Sequence, residues 1–350
     1  MFVGTYTGGT TGSEGIYAFR FDESTGALTP GGLAAATPSP SFLVASADHR
    51  FVFAVNELDN YEEAPAGSVT SFAVDAAAGR LAPLNVQSSR GAHPCHLALD
   101  GTGHFLAVAN YTGGNYSLLP VSGDGRLEPA VATFAGRGRG PTSRQQGPHG
   151  HAVTFDRSNR FLIATDLGID RVLVYRFDAA TGSVVPNAPP GVAITAGAGP
   201  RHFVFHPDGR RAFVINELDS TITSLVWNGE AGTFSVTGSV STLPGPVKDS
   251  TTAEIQVHPN GRFVYGSNRG HDSIAAFSAA DNGSLTLVEI ESTRGRTPRH
   301  FTIDPSGRWL LAANQESSTI AVFSIDQTTG ALTPVGDPVA APTPVSVLFM

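Results

Sequence analysis

The sequence predicts an all-β fold, a seven-bladed β-propeller with four antiparallel strands in each blade, from three observations. First, seven apolar segments end in a polar residue about 50 residues apart, a period typical of propeller blades, at Thr5, Asn56, Asn110, Asp166, Asn216, Asn268 and Asn314. Second, Pro-x-Gly-Arg turns recur between apolar segments, as at 207–210, 259–262 and 305–308. Third, the segments are short and rich in Val, Ile, Phe and Thr, which favours strands over helices.

The fifth repeat illustrates the four strands of one blade. Its segments 202–206, 212–216, 222–227 and 233–237 are each predicted to form a strand, and the first two flank the turn at 207–210. The recurring Asn residues at the ends of the second strands are expected to be structural. His206 and His258, which precede Pro-x-Gly turns, are expected to be structural as well.

The two ends of the chain predict how the ring closes. Residues 3–9 parallel residues 108–114, so segment 2–5 corresponds to the second strand of a blade whose first strand would be segment 344–350. Pairing of the N- and C-terminal strands in one blade would remove an open sheet edge. No linker or charge run divides the sequence, so a single domain spanning residues 1–350 is predicted.

Composition limits the classes of function and partner. The single Cys95 excludes an internal disulfide, no basic-then-apolar leader is recognised, and no apolar stretch approaches ~18 residues, so a cytoplasmic protein without a membrane partner is expected. The net charge is −8, with 22 basic and 30 acidic side chains, which argues against nucleic acid as a partner. Any bound anion must therefore meet a local cluster of positive charge. Oligomeric state is not indicated.

Polar residues concentrate at one end of the predicted hairpins. The start of a first strand and the end of a second strand lie at the same end of an antiparallel pair, so these positions should converge on one face of the ring. The first-strand starts contribute His96, His149, His151, Arg201, His202, Glu254, Arg299 and His300. The second-strand ends contribute Asn56, Glu57, Asn110, Tyr111, Asp166, Asn216, Glu217, Asn268, Arg269, Asn314 and Gln315.

Several short motifs resemble those of the seven-bladed β-propeller lactonases. They are Gly-Pro-His-Gly-His at 147–151, Asp-Leu-Gly-Ile-Asp at 166–170, Pro-Arg-His-Phe at 200–203, Val-Ile-Asn-Glu-Leu at 214–218 and Ser-Asn-Arg at 267–269. The resemblance covers essentially the whole chain. That family includes a 6-phosphogluconolactonase type and fungal 3-carboxy-cis,cis-muconate cyclases.

The resemblance implies an active site at the opening of the central channel. By motif, its proposed catalytic residues fall on His149, Arg201, Glu217 and Arg269. His151 competes with His149 for the histidine position, and His149 is preferred. Further predicted substrate contacts are His151, Arg299, His202, Asp166 and Tyr111.

These residue types suit the hydrolysis of an anionic sugar lactone, with 6-phosphogluconolactone as the leading candidate. A neutral imidazole or a carboxylate can take a proton from the attacking water, so either His149 or Glu217 is the predicted base. Arginine stays protonated and can stabilise the tetrahedral oxyanion. The remaining arginines would bind the carboxylate or phosphate of the substrate.

The same residues leave two alternative functions open. A muconate-type cyclase could use the same groups in reverse, and a non-enzymatic propeller could bind a protein or a small anion. The ionic character of the predicted mouth favours the enzyme, because protein-binding rims are rich in aromatic and apolar residues. Asp166, Asn216 and Glu217 could offer oxygen ligands to a divalent ion, but neighbouring arginines would repel it. No metal and no cofactor are therefore predicted.

Overall fold

The computed structural model describes residues 1–8 and 12–350. Gly9, the last residue of the parallel between 3–9 and 108–114, lies outside the described residues. The first seven strands are β1 (Phe2–Thr5), β2 (Gly15–Asp22), β3 (Ala27–Ala36), β4 (Leu43–Ala45), β5 (Phe51–Asn56), β6 (Ser68–Asp75) and β7 (Arg80–Ser88). The next eight are β8 (Pro94–Leu99), β9 (Phe105–Asn110), β10 (Asn115–Pro120), β11 (Ala132–Phe134), β12 (Gly150–Phe155), β13 (Phe161–Asp166), β14 (Arg171–Asp178) and β15 (Ser183–Ala193).

The remaining strands complete the chain. They are β16 (Pro200–Phe205), β17 (Arg211–Asn216), β18 (Thr221–Asn228), β19 (Thr233–Ser241), β20 (Thr251–Val257), β21 (Phe263–Arg269), β22 (Ser273–Ala279), β23 (Leu285–Ser292), β24 (Pro298–Ile303), β25 (Trp309–Asn314), β26 (Thr319–Ile325), β27 (Leu332–Ala340) and β28 (Pro344–Leu348). One 3₁₀ turn follows β13 at Leu167–Ile169.

The strands form seven antiparallel sheets of four strands each, which confirms the predicted seven-bladed β-propeller. Blade 1 has the order β28-β1-β2-β3, and blades 2 to 7 each take four consecutive strands, from β4–β7 to β24–β27. In blade 1 the two ends of the chain pair directly, with Phe2 opposite Leu348 and Val3 opposite Val347. The last strand of the chain is thus the first strand of the blade that contains residue 2.

Apolar side chains between neighbouring blades form the core. The second strand of each blade is the most buried, as in β13, where all six residues are buried. Tyr116 of β10 and Leu162 of β13 belong to one cluster that joins blades 3 and 4. Val3 of β1 shares another cluster with Leu311 and Ile320, which joins blade 1 to blade 7. Burial of apolar surface between sheets is therefore what holds the ring together.

The face formed by the Pro-x-Gly turns, called the far face below, is held by regular contacts from side chain to backbone. His206 Nε2 donates to the carbonyl oxygen of Gly261 at 2.7 Å, and His258 Nε2 donates to that of Gly307 at 2.7 Å. Both glycines have positive φ values, 74° and 73°, which a residue with a side chain rarely adopts. Each histidine links its own blade to the turn of the next, which confirms the structural role predicted for them.

The recurring Asn residues link blades on the opposite face, called the mouth face below. Asn56 donates to the carbonyl oxygen of Pro38 at 2.7 Å, Asn268 to that of Thr242 at 3.0 Å, and Asn314 to that of Thr293 at 2.9 Å. These carbonyl groups lie in the connections that enter the same blade. These Asn side chains are buried and their amide groups donate within the fold, as expected for a structural role. Within the described residues, no helix has the length and hydropathy needed to cross a membrane.

Candidate active site

Irregular strand starts place consecutive polar side chains at the mouth and directly beneath it. The inner strands β8, β12, β16 and β24 each shift register near their first residue, and in β16 the shift falls between Pro200 and His202. Side chains that follow each other on a regular strand point to opposite faces, and a bulge re-aims them. Arg201 and His202 are both buried, and Arg201 Nη1 lies 3.1 Å from His202 Nε2. The local irregularity thus doubles the number of polar groups that one strand supplies.

Glu217, the residue after β17, is the centre of the site. Its Oε2 atom lies 3.0 Å from Arg201 Nε and 3.1 Å from Arg269 Nη2, and its Oε1 atom lies 3.0 Å from Arg144 Nη2. His151 Nε2 lies 3.8 Å from Oε2. We call Glu217, Arg144, Arg201, Arg269 and His151 the mouth cluster. It joins blades 4, 5 and 6 with a loop.

The charges of the cluster control its protonation. Burial would raise the pKa of Glu217, but Arg269 and Arg201 outweigh it and hold this pKa well below its usual range. Burial lowers the pKa of Arg201 to about 10, with Arg269 and Arg299 acting in the same direction. Burial also lowers the pKa of His151 well below its ordinary value. At neutral pH the cluster therefore contains a carboxylate, charged arginines and a neutral imidazole.

A second ionic group lies on the side of the mouth formed by blades 1, 2 and 7. Arg299 Nη2 lies 3.9 Å from Glu57 Oε2, which also accepts a hydrogen bond of 2.8 Å from the hydroxyl of Tyr6. The guanidinium carbon of Arg299 sits 5.2 Å from the centre of the Tyr6 ring. Burial would lower the pKa of Arg299, but Tyr6 and Glu57 outweigh it and raise that pKa. Arg299 is thus a fixed cation at the mouth.

His149 stands beside the mouth cluster and is joined to it by Tyr111. The two rings stack with centroids 4.7 Å apart, and His149 Nδ1 lies 2.9 Å from the backbone oxygen of Tyr111. Since that oxygen only accepts, Nδ1 carries the proton and Nε2 keeps its lone pair. The hydroxyl of Tyr111 accepts a hydrogen bond of 2.8 Å from Arg144, which connects this side to Glu217.

Asp166 supports His149 from below rather than lining the mouth. Its Oδ1 atom accepts hydrogen bonds from the backbone N–H of His149 at 2.7 Å and of Gly168 at 3.1 Å. The side chain is buried, and burial raises its pKa to about 6. A Cβ atom on Gly168 would collide with the carbonyl oxygen of Gly147, so the 3₁₀ turn fits closely under the loop that carries His149.

Arg144 belongs to the site although no sequence motif marks it. It lies in the long connection between β11 and β12 and has no equivalent position in the repeats. Its neighbour Gln145 is fully buried and donates to the carbonyl oxygen of Leu167 at 2.9 Å and to Asp170 Oδ1 at 2.7 Å. This anchor fixes the loop, while half of the Arg144 side chain stays exposed. Tyr6 and Glu57 were not predicted as a pair for a related reason, since Tyr6 follows β1 of blade 1 and Glu57 follows β5 of blade 2.

His202 lies beneath the mouth, not in it. Its Nε2 atom is 3.1 Å from Arg201 Nη1, and its Nδ1 atom is 2.9 Å from Glu254 Oε2. The ring is 4% exposed, so both nitrogens are occupied and out of reach of solvent. Of the predicted site residues, the structure therefore brings Arg201, Glu217, Arg269 and His151 into contact. It places Tyr111, His149 and Arg299 around them, and puts Asp166 and His202 in supporting positions.

The mouth carries an excess of positive charge in an otherwise acidic protein. Four arginines, at 144, 201, 269 and 299, face the two carboxylates of Glu57 and Glu217. The four guanidinium charges exceed the two carboxylate charges by two, so this group of side chains has a net positive charge, and an anion is the ligand that would complement it. Within the part of the chain that the structure describes, no group of three or more His, Cys, Asp or Glu side chains is arranged to hold a metal ion.

A seven-bladed propeller whose mouth holds arginines around a carboxylate belongs to the class of propellers suited to bind a small anion. Comparison with known proteins gives the family. Residues 1–349 match the family described as lactonase, seven-bladed β-propeller. The chain belongs to this family, which confirms the resemblance found in the sequence. It is 37% identical to the 6-phosphogluconolactonase of Bacillus subtilis over 351 aligned positions, covering 100% of this chain and 97% of that protein.

Other relatives agree with this assignment. The 6-phosphogluconolactonase of Formosa agariphila is 33% identical, over 95% of this chain and 94% of the relative. Among solved structures, the periplasmic gluconolactonase of Pseudomonas aeruginosa superposes with a TM-score of 0.91 at 32% identity. That alignment covers 98% of this chain and 96% of the other. The chain is thus an enzyme of the lactonase class.

Proposed function

We propose that this protein hydrolyses an anionic sugar lactone, 6-phosphogluconolactone, to the open-chain acid 6-phosphogluconate. The observation that carries this proposal is the net positive charge of the side chains at the mouth, which matches a phosphate dianion better than a neutral sugar. The names of the relatives from Bacillus subtilis and Formosa agariphila support the same substrate.

The phosphate would bind to the arginines that are most open to solvent. Arg144 is half exposed and Arg299 is partly exposed, and each now pairs with a single carboxylate oxygen. A guanidinium group can contact a carboxylate and a phosphate at once, because its donors form a planar fork. In this arrangement the two arginines bind the substrate without taking part in bond cleavage.

His149 is the general base of this proposal. Its Nε2 lone pair is available because Nδ1 is protonated and directed at the backbone of Tyr111. Glu217, the other candidate, is less suited, because three arginines bind its carboxylate and hold its pKa low. Glu217 instead aligns the guanidinium groups.

Arg269 is the proposed donor to the oxyanion. Its Nη2 atom binds Glu217 and the carbonyl oxygen of Thr252, while its Nε–H has no hydrogen-bond partner among the described residues. Arg201, which is 2% exposed, supplies fixed charge behind Glu217 and keeps the carboxylate in place. Fixed donors of this kind stabilise the charge that develops in the transition state.

The proposed reaction needs only these groups and water. His149 takes a proton from the water as its oxygen attacks the lactone carbonyl carbon, and the negative charge develops on the carbonyl oxygen beside Arg269. The carbonyl then re-forms, the ring C–O bond breaks, and the proton on His149 passes to the leaving ring oxygen. The products are the carboxylic acid and a free hydroxyl, without any change of oxidation state.

Acid release from 6-phosphogluconolactone, measured against its spontaneous hydrolysis, tests the proposal. We expect His149→Ala and Arg269→Ala to lower kcat by about 10²-fold or more. Arg50→Ala is the control, because Arg50 is exposed on the far face and pairs with Asp48 there. Catalysis at the parent rate by folded His149→Ala and Arg269→Ala variants would refute the assigned roles.

Two further substrates test the specificity. Gluconolactone lacks the phosphate, and we expect its KM to be at least tenfold higher. A carboxy-muconate tests the cyclase alternative, and turnover of it in preference to either lactone would replace this proposal. A cytoplasmic location stays a prediction, because the similar Pseudomonas aeruginosa protein is a periplasmic gluconolactonase.

A further inference from the structure

Beneath the mouth cluster, a set of buried polar groups leads from Arg201 towards the centre of the ring. His202, Glu254 and His300 are each no more than 6% exposed. None of them reaches solvent, and the mechanism above gives them no task. Buried polar groups are costly unless they are fully satisfied, so their arrangement calls for an explanation.

The hydrogen bonds of this set have only one consistent direction. A guanidinium group only donates, so His202 Nε2 must accept from Arg201 Nη1 across 3.1 Å. His202 is then neutral with its proton on Nδ1, which donates to Glu254 Oε2 across 2.9 Å. Burial and the charge of Arg201 both lower the pKa of His202 well below its ordinary value, which agrees with a neutral ring.

Glu254 is an acceptor on both of its oxygens. Oε1 accepts from the backbone N–H of Ile255 at 3.1 Å, and Oε2 lies 3.4 Å from His300 Nε2 as well as near His202. His300 Nδ1 accepts from the backbone N–H of Val347, so the proton of His300 is on Nε2 and points at Glu254. Three N–H groups therefore converge on one carboxyl group.

The backbone of the strand that carries Glu254 also binds Arg201. Strand β20 shifts register between Thr252 and Ile255, and within this irregular stretch the carbonyl oxygen of Ala253 accepts from Arg201 Nη1 at 2.8 Å. The guanidinium is thus fixed by blade 6 on one side and by Glu217 on the other, where Nε donates at 3.0 Å.

We propose that Glu254 and His202 are positioning residues for the lactonase reaction: Glu254 fixes the tautomer and orientation of His202, and His202 holds Arg201 against Glu217. Glu217 in turn aligns Arg269. A carboxylate–histidine pair of this kind fixes a ring as the outer partners of metal-bound histidines do, but here it acts on a guanidinium. The inference rests on the role proposed for Arg201 above.

The test measures kcat and KM for 6-phosphogluconolactone with Glu254→Gln and with two changes at His202. Glu254→Gln keeps the shape but replaces one of the two acceptor oxygens with an NH₂ group, and we expect kcat to fall by about 10- to 100-fold with KM near the parent value. His202→Gln retains an acceptor for Arg201 and a donor for Glu254, so it should keep most of the activity that His202→Leu loses. If Glu254→Gln does not fold, the comparison of kcat between His202→Gln and His202→Leu tests the inference.

A double-mutant cycle with Arg201→Lys separates positioning from mere stabilisation of the fold. If Glu254 acts through Arg201, Glu254→Gln should change kcat by less than twofold in the Arg201→Lys background. If the fold-changes in kcat of the two single variants multiply in the double variant, the two residues act independently and the inference is wrong. Parent-level kcat for folded Glu254→Gln would also overturn it. Parent-level kcat for Arg201→Lys would instead refute the role proposed for Arg201 itself.

His258→Gln is the matched control. His258 is 2% exposed and has both ring nitrogens hydrogen-bonded, to Gly307 and to the backbone N–H of Asn260, but it lies on the far face. Its replacement should lower the thermal unfolding temperature and leave kcat and KM unchanged. An equal loss of kcat in His258→Gln and His202→Leu would show that any buried histidine has this effect and would refute positioning.

Discussion

The two ends of the same hairpins are built in different ways. On the far face, side chains bind the backbone of their own turn or of the next one, as Asp304 does with the N–H groups of Ser306 and Trp309. On the mouth face, side chains bind each other, and Glu217 alone collects contacts from four residues. The far-face contacts repeat from blade to blade, as do the Asn contacts of the mouth face, whereas the ionic contacts of the mouth differ between blades.

This difference separates the contacts that stabilise the fold from the contacts that serve the proposed reaction. A bond from side chain to backbone ties a turn locally and can be copied in each repeat. A buried ionic cluster costs desolvation and is weak evidence for stability, so its retention needs another reason. In this chain that reason is the binding and hydrolysis of an anionic lactone, and variants matched across the two faces can test the contrast.

The largest effect is expected for Glu217→Ala. Its loss leaves the buried Arg201 and Arg269 without their carboxylate, so kcat/KM should fall by about 10³-fold or more and the free energy of unfolding by about 3–5 kcal/mol. Steady-state kinetics and urea unfolding measure the two quantities. Asp208→Ala is the far-face control, because Asp208 pairs with Arg211 at 2.7 Å and is one-third exposed. Similar kinetic losses in the two variants would contradict the contrast between the faces.

A smaller loss is expected for Gly168→Ala, which tests the support of His149. The added Cβ atom would collide with the backbone of Gly147 and displace the loop that carries His149. We expect kcat to fall by about 10- to 100-fold, because small displacements of a catalytic group have effects of this size. Gly261→Ala, at a positive φ of 74° on the far face, should lower stability without changing kcat. Unchanged kinetics in Gly168→Ala would show that His149 needs no support from this turn.

The fold could be predicted from the sequence because its signals repeat. The polar strand ends recur seven times and the Pro-x-Gly-Arg turn three times, so an error in one blade is corrected by the others. The positions of strand starts and ends were enough to predict that Arg201, Glu217 and Arg269 lie on one face of the ring. The position of His202 could not be predicted in this way, because alternation along a strand does not reveal the bulge at the start of β16.

Arg144 and the Tyr6–Glu57 pair show a second limit. Arg144 lies in a connection unique to blade 3, so no repeat position marks it. Tyr6 and Glu57 are 51 residues apart in the chain and meet through a single hydrogen bond. Contacts of this kind depend on the assembled ring, and local propensity carries no information about them.

The loss of folding stability in acid should also depend on buried histidines near the mouth face. Burial lowers the pKa of His96 and of His300 to about 3, so each binds a proton in the unfolded chain but not in the folded one between about pH 6.5 and 3. Each should therefore lower the free energy of unfolding by about 1.4 kcal/mol per pH unit as the pH falls through this window. Burial raises the pKa of Asp166 to about 6 and that of Glu254 to about 8, and these groups act in the opposite direction.

The difference between parent and His96→Gln isolates one of these contributions. Glutamine can keep an acceptor for the backbone N–H of Val153, which His96 Nδ1 binds at 3.4 Å. Urea unfolding at pH 7, 6 and 5 should show the parent losing stability more steeply than the variant, by about 1.4 kcal/mol per pH unit below pH 6.5. Parallel curves would mean that His96 is not the neutral buried group that the structure indicates.

The smallest effect is expected for Arg144→Ala, which separates binding from catalysis within the mouth. Arg144 is half exposed, so its pairing with Glu217 should contribute less than about 1 kcal/mol to stability, and unfolding should be nearly unchanged. If it contacts the phosphate, KM for 6-phosphogluconolactone should rise about 5- to 20-fold while kcat stays within twofold, and KM for gluconolactone should not change. An equal rise for both lactones would mean that Arg144 acts through Tyr111 or Glu217 and not on the phosphate. The phosphate would then have Arg299 as its remaining proposed contact, and Arg299→Ala would carry the whole effect.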